Sequence, residues 1–432
     1  AVFGHDQPMS NALLDDLEWR GLIAQSTDRK ELESALAKPI SLYLGVDPTA
    51  PSMHLGNLVV FLVLKRFQLA GHRPIALVGG ATGLVGDPSG KNDERTLNEE
   101  KLVAEWVSKM RKQVEKILDF NDKDTSAKLV NNLDWTKAVS ALELLRDIGK
   151  HFSVNQMLAK DSVATRLSST GISYTEFSYQ VLQAFDYLEL YRRDQCRLQI
   201  GGSDQWGNIV AGLDLIRKVE GGSAHALTVP LLAKSDGSKF GKTASGAIWL
   251  EETMTSAYEF FQFWLNSDDA DMPKLLKVFS MRSRSEIEEL IEKVKTNPGA
   301  REAHRELARE MTTLIHGGAM AKSVEEAAKA LFGQGEIGDL DLKTLDSALS
   351  QLPKTTIKKG DPYPTWVDLL AATGVVESKS AARRIVKEGG GYLNNKKVES
   401  EDFTPSKTDL LHGKYLLLRK GKRDLAAVEV EG

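Results

Sequence analysis

The sequence predicts an α/β protein that starts with a doubly wound parallel-sheet domain of Rossmann type and continues with a helical domain and a small C-terminal α+β domain. Three observations predict this order. Short β-branched runs alternate with helical stretches in the first half of the chain. Residues 256–331 have helical periodicity with charged faces and no convincing strand. A further compact unit begins at Trp366.

The first strand–helix–strand unit has clear limits. Ile40–Leu44 is predicted as a buried strand, Leu55–Ala70 as a helix and Pro74–Gly79 as the next strand. A unit of this length implies a right-handed crossover and a parallel sheet that is covered on both faces. Arg197–Ile200 and Ala226–Val229 are predicted as further strands of the same domain.

Composition narrows the class of protein. The chain has 432 residues and a single cysteine, Cys196, which excludes an intramolecular disulfide framework and fits a reducing, cytoplasmic location. No apolar run is long enough to span a bilayer, and no membrane contact is expected. The N-terminus lacks the pattern of a signal peptide, and residues 1–9 are expected to be a tag remnant or a disordered terminus.

Charge is unevenly distributed along the chain. From Thr355 onward there are 14 Lys and Arg against 11 Asp and Glu, whereas the rest has 42 against 49. A mildly basic tail on an acidic body favours a polyanionic partner, although an ordinary solvated surface explains it equally well.

The segment after the first strand, GVDPTAPSMHLGN, places His54, Gly56 and Asn57 at the start of a helix. A helix N-terminus supplies amide donors and a positive dipole, which suit a triphosphate. Gly56 would let a nucleotide approach the backbone. His54 and Asn57 would donate to oxygens that gain charge during attack at an α-phosphate. Alone, a histidine before a helix is more often only a cap.

A second motif, KFGKT, lies in the polar loop AKSDGSKFGKTASG. Lys239 and Lys242 lie on either side of a glycine-containing turn and could hold a pyrophosphate leaving group. A lysine pair in a loop is usually only solvated surface. The occurrence of both motifs in one α/β domain, in this order, favours the functional interpretation.

These motifs carry a resemblance to a known family. HLGN and KFGKT resemble the two signature motifs of class I aminoacyl-tRNA synthetases. The runs LYLGVDPTAPSMHLGN, GGATGLVGDPSGK, RDIGKHFSVNQML, YTEFSYQVLQAFD and LQIGGSDQWGN resemble bacterial-type tyrosyl-tRNA synthetases. The similarity runs from about Leu14 to Gly421. It implies an enzyme that activates L-tyrosine with ATP and passes the tyrosyl group to tRNA(Tyr).

The resemblance assigns a set of side chains to L-tyrosine. Tyr43 and Asp186 would contact the phenolic hydroxyl, and the i, i+4, i+7 spacing of Tyr179, Gln183 and Asp186 places these three on one helical face. A buried carboxylate without a partner is costly, so Asp186 on that face favours a ligand role. The residues assigned to tyrosine are Tyr43, Asp87, Tyr179, Gln183, Asp186 and Gln205.

The resemblance also implies an ATP site that needs no general base, because the tyrosine carboxylate itself attacks the α-phosphate. Catalysis would come from positioning and from stabilisation of developing charge. Mg²⁺ is expected to accompany ATP, and no protein-bound metal is expected. The residues assigned to ATP are Gly45, Asp47, Gly56, Gly202, Asp204 and Lys242. The residues assigned to catalysis are His54, Asn57, Lys91, Arg95, Lys239, Lys242 and Thr243.

Partners and domains follow from the same resemblance. Family members are homodimers, and Tyr174 is expected near the two-fold axis. The terminal unit resembles an RNA-binding module first known from a ribosomal protein. Residues near one face of its second helix are Ser378, Lys379, Arg383, Arg384 and Lys387. The expected domains are a terminus (1–9), a Rossmann-type catalytic domain with a dimer-forming insertion (10–232), the KFGKT loop with a helical anticodon-binding domain (233–332), a linker (333–363) and an RNA-binding domain (364–432).

Two alternatives remain open at this point. The chain could be a synthetase-like RNA-binding or splicing-cofactor protein whose chemistry has degenerated, which the intact pocket and lysine loop argue against. It could instead activate tryptophan on the related class I fold. The pairing of Tyr43 with Asp186 favours a phenol over an indole.

Overall fold

The computed structural model describes residues 9–89, 97–243, 246–332, 337–360, 362–421 and 424–431. The chain divides into two compact units. The first comprises Ala1–Met254 and Ser267–Ala303, and the second comprises Thr255–Asn266 and His304–Gly432. Each unit therefore consists of two separate stretches of the sequence.

The first unit is built on a six-stranded sheet. Its strands are β1 (Gln25–Ser26), β2 (Ser41–Val46), β3 (Arg73–Val78), β4 (Lys128–Asn131), β5 (Cys196–Gly202) and β6 (His225–Val229). Their order is β1-β6-β5-β2-β3-β4, and every neighbouring pair is parallel except β1 with β6. Two short strands, β7 (Lys242–Thr243) and β8 (Gly246–Ala247), form a separate antiparallel pair. Strand order reverses between β2 and β5, and open α/β sheets bind ligands at the carboxyl ends of the strands at such a switch point.

Helices connect and cover these strands. The α-helices of the described residues are α1 (Met9–Trp19), α2 (Arg29–Leu36), α3 (Leu55–Leu69), α4 (Thr82–Val85), α5 (Glu100–Ile117), α6 (Leu133–Thr136), α7 (Ala141–Glu143), α8 (Val154–Leu158), α9 (Asp161–Leu167), α10 (Tyr174–Asp194), α11 (Trp206–Glu220), α12 (Ala257–Leu265), α13 (Met272–Phe279), α14 (Arg284–Thr296), α15 (Glu302–His316), α16 (Gly318–Leu331), α17 (Leu342–Ser350), α18 (Trp366–Ala372) and α19 (Lys379–Lys387). Within the described residues, no helix is long and apolar enough to cross a membrane.

Helix α10 carries the face predicted to bind tyrosine. It begins where the Ser173 side chain accepts the backbone N–H of Glu176, and it ends at Gln195, whose φ of 50° is left-handed. It packs against α11 and β5. Arg166 donates to Glu176 at 2.8 Å, and both side chains are almost fully buried. This ion pair ties the first turn of α10 to α9 and so fixes where the helix starts.

The second unit combines helices α12 and α15–α19 with a five-stranded sheet. The strands are β9 (Lys354–Lys358), β10 (Gly391–Leu393), β11 (Lys396–Lys397), β12 (Tyr415–Lys420) and β13 (Asp424–Glu431), in the order β11-β10-β12-β13-β9. Trp366 is fully buried in the core of this sheet, and its indole N–H donates to the carbonyl of Tyr392 at 3.1 Å. A Cβ at Gly391 would lie 2.9 Å from that ring, so the close packing requires glycine.

The predicted α/β fold class is confirmed, and the five predicted strands and helices of the first unit are present as β2, α3, β3, β5 and β6. The interpretation of 333–363 as a linker was wrong for most of its length. It contains α17, whose Leu345 and Leu349 are buried, and β9, which pairs in parallel with β13. The composition of β9 resembles that of a linker because β9 is an edge strand, and lysine is common on edge strands. The domain boundaries stay a prediction.

Candidate active site

The switch point of the first sheet brings together side chains from distant parts of the sequence. Tyr43 lies on β2 and pairs with Ile75 of β3 on one side and Gln199 of β5 on the other. Gly45 near the end of β2 is exposed, and Gly202 ends β5. These strand ends form one edge, where the sequence predicted both amino-acid and nucleotide contacts.

Asp186 lies at the bottom of this site and is 2% exposed. Its carboxylate accepts hydrogen bonds from Asn132 Nδ2 at 2.9 Å and from Trp135 Nε1 at 2.8 Å. Burial raises the pKa of Asp186 to about 7, although the two hydrogen bonds act in the opposite direction. The two donors therefore hold a carboxyl group that is shielded from water. The neutral and charged forms of Asp186 have similar free energies near neutral pH.

Tyr43 lies beside this carboxylate. Burial, and next the charge of Asp186, raise the pKa of its phenol well above the usual value. The Tyr43 hydroxyl is buried and has no hydrogen-bond partner among the described residues. An unsatisfied buried hydroxyl costs free energy, so a ligand that bonds to it is favoured there.

A continuous chain of hydrogen bonds connects Asp186 to Tyr179. Asn132 Nδ2 donates to Thr82 Oγ1 at 2.9 Å, and the Thr82 hydroxyl donates to Asp47 Oδ1 at 2.6 Å. The Tyr179 hydroxyl donates to the other oxygen of Asp47 at 2.6 Å. Asp47, which the sequence assigned to ATP, is thus directly bonded to a residue assigned to tyrosine.

The charges of three carboxylates act on the phenol of Tyr179, and one of them, Asp47, is hydrogen-bonded to it. Burial raises the pKa of Tyr179 well above the usual value, and the charges of Asp47, Asp87 and Asp186 raise it further. A pocket with this concentration of negative charge attracts a cation such as an amino-acid ammonium group.

A second cluster of hydrogen bonds joins the remaining residues assigned to tyrosine. Gln205 Nε2 donates to Asp87 Oδ2 at 2.7 Å. Asn208 Nδ2 donates to Gln205 Oε1 at 3.2 Å and to Gln183 Oε1 at 3.1 Å, and its Oδ1 accepts from Lys160 Nζ at 3.0 Å. Burial lowers the pKa of Lys160 to about 8, while Asp87 opposes the shift. Asn208 therefore holds both glutamine side chains in fixed orientations.

The HLGN motif caps helix α3. His54 Nδ1 accepts the backbone N–H of Gly56 at 3.0 Å, and Asn57 Oδ1 accepts the backbone N–H of His54 at 3.1 Å. Since Nδ1 is an acceptor, the neutral imidazole carries its proton on Nε2, which becomes a donor. A Cβ at Gly56 would lie 2.8 Å from His54 Cε1, so the folded-over ring needs glycine. The cap and a phosphate-binding role are compatible.

The KFGKT loop is attached to this motif through the residues that follow it. His54 forms an antiparallel bridge with Trp249, and Leu55 N–H donates to the carbonyl of Ile248 at 3.2 Å. Ile248 N–H in turn donates to the carbonyl of Gly241 at 2.9 Å. Gly241 has a φ of 77°, and a Cβ there would lie 3.3 Å from Leu55 Cβ. The two motifs are therefore in direct contact.

Not every predicted residue can be placed. Lys239 and Lys242 are exposed on the loop, and Asp204 accepts from Gln205 Nε2 at 3.3 Å. Lys91, Arg95 and the side chain of Thr243 lie outside the described residues. Among the described residues, no group of three or more His, Cys, Asp and Glu side chains could hold a metal ion.

Sequence reasoning missed the residues that hold the predicted ones in place. Asn208 could have been found, since it ends the GGSDQWGN run already singled out. Asn132 and Trp135 carried no such signal, because they lie in a short connection whose approach to Asp186 depends on the pairing of β3 with β4. The missed residues are Thr82, Asn132, Trp135, Lys160 and Asn208.

Comparisons with known proteins establish the family of this chain. The chain is 57% identical to a tyrosine–tRNA ligase of Streptomyces avermitilis over 97% of this chain and 99% of the relative. This chain belongs to the tyrosine–tRNA ligase family. The model described as tRNA synthetases class I (W and Y) matches residues 35–333, and that of the tyrosine–tRNA ligase SYY-like C-terminal domain matches 344–428. The resemblance drawn from the motifs is confirmed.

Further relatives support the same family. A tyrosine–tRNA ligase of Thermobifida fusca is 56% identical over 96% of this chain and 99% of its own length. Among solved structures, a C-terminally truncated mitochondrial tyrosyl-tRNA synthetase of Aspergillus nidulans matches with a TM-score of 0.68 and 32% identity, covering 74% of this chain and 94% of that one. The predicted enzyme class, aminoacyl-tRNA synthetase, is confirmed.

The raised pKa of Asp186 predicts a pH dependence of stability. Between the ordinary carboxyl pKa of 3.8 and about 7, the folded protein binds a proton that the unfolded chain does not. The free energy of unfolding should therefore fall as pH rises through this window, at up to about 1.4 kcal/mol per pH unit from this group. Asp186→Asn should lack that component. Urea unfolding of both proteins at several pH values measures it, and parallel pH profiles would contradict it.

Proposed function

We propose that the chain activates L-tyrosine with ATP to form tyrosyl-adenylate and pyrophosphate, then transfers the tyrosyl group to the 3′ end of its cognate tRNA. The observation that carries the proposal is the pairing of buried Asp186 with the unsatisfied Tyr43 hydroxyl at the switch point of the sheet. A substrate phenol would donate to the carboxylate and accept from the tyrosine hydroxyl, which leaves both satisfied.

This arrangement supports tyrosine over phenylalanine and tryptophan. Phenylalanine would leave the buried Tyr43 hydroxyl and Asp186 without a ligand partner. Tyrosyl-tRNA synthetase is itself the known example of such discrimination, with a ratio of about 10⁵ against phenylalanine. An indole N–H could donate to Asp186 but offers no lone pair to Tyr43, so tryptophan is the weaker candidate. At the other end of the substrate, Asp87, Tyr179 and Gln183 would hold the ammonium group, with Gln205 near the substrate carboxylate.

The nucleotide site follows from the two joined motifs. The substrate carboxylate oxygen would form a bond to the α-phosphorus while the bond to the pyrophosphate oxygen breaks. His54 Nε2, the Asn57 side-chain amide and the positive end of the α3 dipole would stabilise the charge on the phosphate oxygens. Lys239 and Lys242, with Lys91, Arg95 and Thr243 by family resemblance, would bind the departing pyrophosphate. Mg²⁺ would arrive with ATP and neutralise phosphate charge.

The remaining nucleotide contacts are proposed at the strand ends. Gly45 would allow ATP to approach β2, since a Cβ there would meet only Leu77 at 3.7 Å. Gly202 and Asp204 would contact the ribose after β5. Asp47 would lie between the two substrates, because it is bonded to Tyr179 and borders the nucleotide side.

We propose a cytoplasmic homodimer for the assembled enzyme. We take the predicted dimer-forming insertion to be the connection between β4 and β5, residues 132–195. Exposed large apolar side chains are concentrated there: Leu142, Leu145, Val154, Leu158, Leu167 and Tyr174. Tyr174 is 73% exposed at the start of α10. A self-facing surface of this kind suits a two-fold interface. The buried Cys196 is compatible with a reducing compartment.

The RNA-binding surface is proposed on α19. Ser378 caps this helix, and Lys379, Arg383, Arg384 and Lys387 project exposed charges. The ammonium groups of the two lysines already form ion pairs with acidic side chains. Lys379 lies 2.6 Å from Asp368, and Lys387 lies 3.1 Å from Glu401. Phosphates would replace these partly exposed carboxylates as the partners of the two lysines.

The first prediction of this proposal concerns the chemical step, which is measured by tyrosine-dependent ATP–pyrophosphate exchange. Lys242→Ala should lower kcat by on the order of 100-fold, because it removes a cation that stabilises developing charge. The dissociation constant for tyrosine should not change. Lys234→Ala, in the same loop but outside KFGKT, is the control and should exchange normally. No exchange by the unaltered protein would refute the proposed function and favour an RNA-binding protein whose chemistry has degenerated. Exchange that depends on tryptophan would instead favour a tryptophan-activating enzyme.

A second prediction concerns the dimer. Tyr174→Asp would place a carboxylate from each subunit at the two-fold axis and should shift the protein toward monomer. Leu97→Asp, at a 62% exposed site outside the insertion, should leave the mass unchanged. Light scattering at low protein concentration distinguishes the two. An unaltered mass for the Tyr174 variant would place the interface elsewhere.

A third prediction concerns tRNA. Combined replacement of Arg383, Arg384 and Lys387 by Gln should weaken tRNA binding and reduce the slope of log affinity against log salt by about 0.7–0.9 for each phosphate that is no longer neutralised. Pyrophosphate exchange should be unaffected. Replacement of Lys109, Lys112 and Lys116 on α5 by Gln is the matched control. Equal salt slopes for both triple variants would show that α19 is an ordinary solvated face.

A further inference from the structure

The KFGKT loop is a folded hairpin rather than a free segment. Its turn is closed by Gly237 N–H donating to Lys234 carbonyl at 3.0 Å and by Lys234 N–H donating to Ser238 carbonyl at 2.9 Å. Gly237 has a φ of 81°. These hydrogen bonds, with a left-handed glycine after the turn, are the pattern typical of a type I turn in a hairpin. Ala233 bridges Lys239 directly, so the first catalytic lysine is positioned by the opposite arm.

Helix α13 packs beside this hairpin and contacts it through Asp271. Asp271 is 8% exposed, and its carboxylate accepts the backbone N–H of Ser235 at 2.7 Å. The contact joins positions 36 residues apart in sequence. It ends at the turn, four residues before Lys239.

Asp271 occupies the N-cap position of α13 but does not cap it. Its side chain makes no hydrogen bond to the helix, although aspartate at this position ordinarily accepts an amide of the first turn. Pro273 at the second helical position has no N–H to offer. The positive helix terminus still favours a carboxylate there. Asp271 therefore lies at the start of α13, but its carboxylate oxygen accepts a hydrogen bond from the hairpin and not from the helix.

Two further contacts connect α13 with both arms of the hairpin. Lys274 Nζ donates to the carbonyl of Ala233 at 3.0 Å, directly opposite Lys239. The ring of Phe279 lies 5.4 Å from that of Phe240, the residue after Lys239. Loop residues on both sides of the catalytic lysine thus touch the same helix.

The helix is itself anchored from the other side. Arg20, 2% exposed, donates to the carbonyls of Lys277 at 2.9 Å and Ser280 at 3.0 Å. Arg66, 1% exposed, donates to the Ser280 carbonyl at 2.7 Å. These carbonyls lie at the C-terminal end of α13, where guanidinium groups satisfy acceptors that the helix cannot. Helix α13 is therefore held in place on the side away from the hairpin whose lysines are proposed to bind the leaving group.

We propose that Asp271 is a positioning residue for the adenylation step: by holding the Ser235 amide, it sets the hairpin register that directs Lys239 and Lys242 to the pyrophosphate. The inference rests on the proposed function. Asp271 contacts the loop backbone and acts through the lysines. Its effect is thus expected on the rate of the chemical step rather than on tyrosine binding, which involves the pocket around Asp186 and Tyr179.

The test compares variants of the full chain in tyrosine-dependent pyrophosphate exchange. Asp271→Ala should lower kcat by about 10- to 100-fold, since misplacement of a positioned group by about 1 Å costs up to that much. The dissociation constant for tyrosine should stay constant. Asp271→Asn, whose amide oxygen can accept the same N–H, should recover most of the rate. Asp269→Ala removes a nearby exposed carboxylate that pairs with Arg301 and is the matched control.

A second variant alters the same hydrogen bond from the loop side, which guards against a folding defect in α13. Ser235 is the second residue of the type I turn, a position where proline is favoured. Ser235→Pro therefore keeps a backbone conformation that suits this position, and it replaces the N–H by a ring methylene that cannot donate to Asp271 and that displaces its carboxylate. It should lower kcat as Asp271→Ala does, and combining the two changes should cost no more than either alone.

The outcomes separate this inference from the proposed function. Wild-type kcat in Ser235→Pro, or in a folded Asp271→Ala, would overturn the positioning role while leaving the enzyme assignment intact. So would equal losses in Asp271→Asn and Asp271→Ala, or a parallel loss of tyrosine binding. Absence of exchange in the unaltered protein would instead refute the proposed function.

Discussion

Asp186 is a carboxylate held almost entirely out of water, and much of the first unit is arranged around it. Ionised, it needs donors, and it receives them from Asn132 and Trp135, which follow β4. Asn132 also begins the chain of hydrogen bonds through Thr82 and Asp47 to Tyr179. The order of strands in the sheet brings these groups together, and a shift of one strand would break the network. The position of Asp186 thus depends on the fold as a whole.

The same sheet edge joins two pieces of chemistry that the sequence separates widely. HLGN opens α3, and KFGKT lies on the hairpin that precedes Ile248 and Trp249. Backbone pairing of those two residues with the HLGN segment fixes the distance between the N-terminus of α3, where we propose that phosphate binds, and the lysines. The proposed tyrosine pocket lies on the other side of Asp47. One rigid edge can therefore align a carboxylate with an α-phosphate, for which positioning rather than acid–base chemistry is required.

Sequence reasoning recovered the parts of this arrangement that have a local signal. Alternating apolar runs located β2, α3 and β3, and helical spacing placed Tyr179, Gln183 and Asp186 on one face. The supporting residues Asn132, Trp135 and Asn208 depend on which strands are neighbours, which local pattern does not encode. The edge strand β9 was missed because its two lysines are exposed and its Thr355 and Ile357 are only half-buried, so that its composition resembled that of a linker. Asp47 gave no hint that it bonds to Tyr179, 132 residues away.

The central claim is that the pocket selects a phenol through Asp186. The most direct measurement is kcat/KM for tyrosine and for phenylalanine in pyrophosphate exchange, for the unaltered protein and for Asp186→Ala. Removing one partner of a buried charged hydrogen bond costs about 2–5 kcal/mol, so the value for tyrosine should fall by a factor of about 30 to several thousand. The value for phenylalanine should change far less. A ratio of the two values that is the same in a folded Asp186→Ala variant as in the unaltered protein would contradict the account.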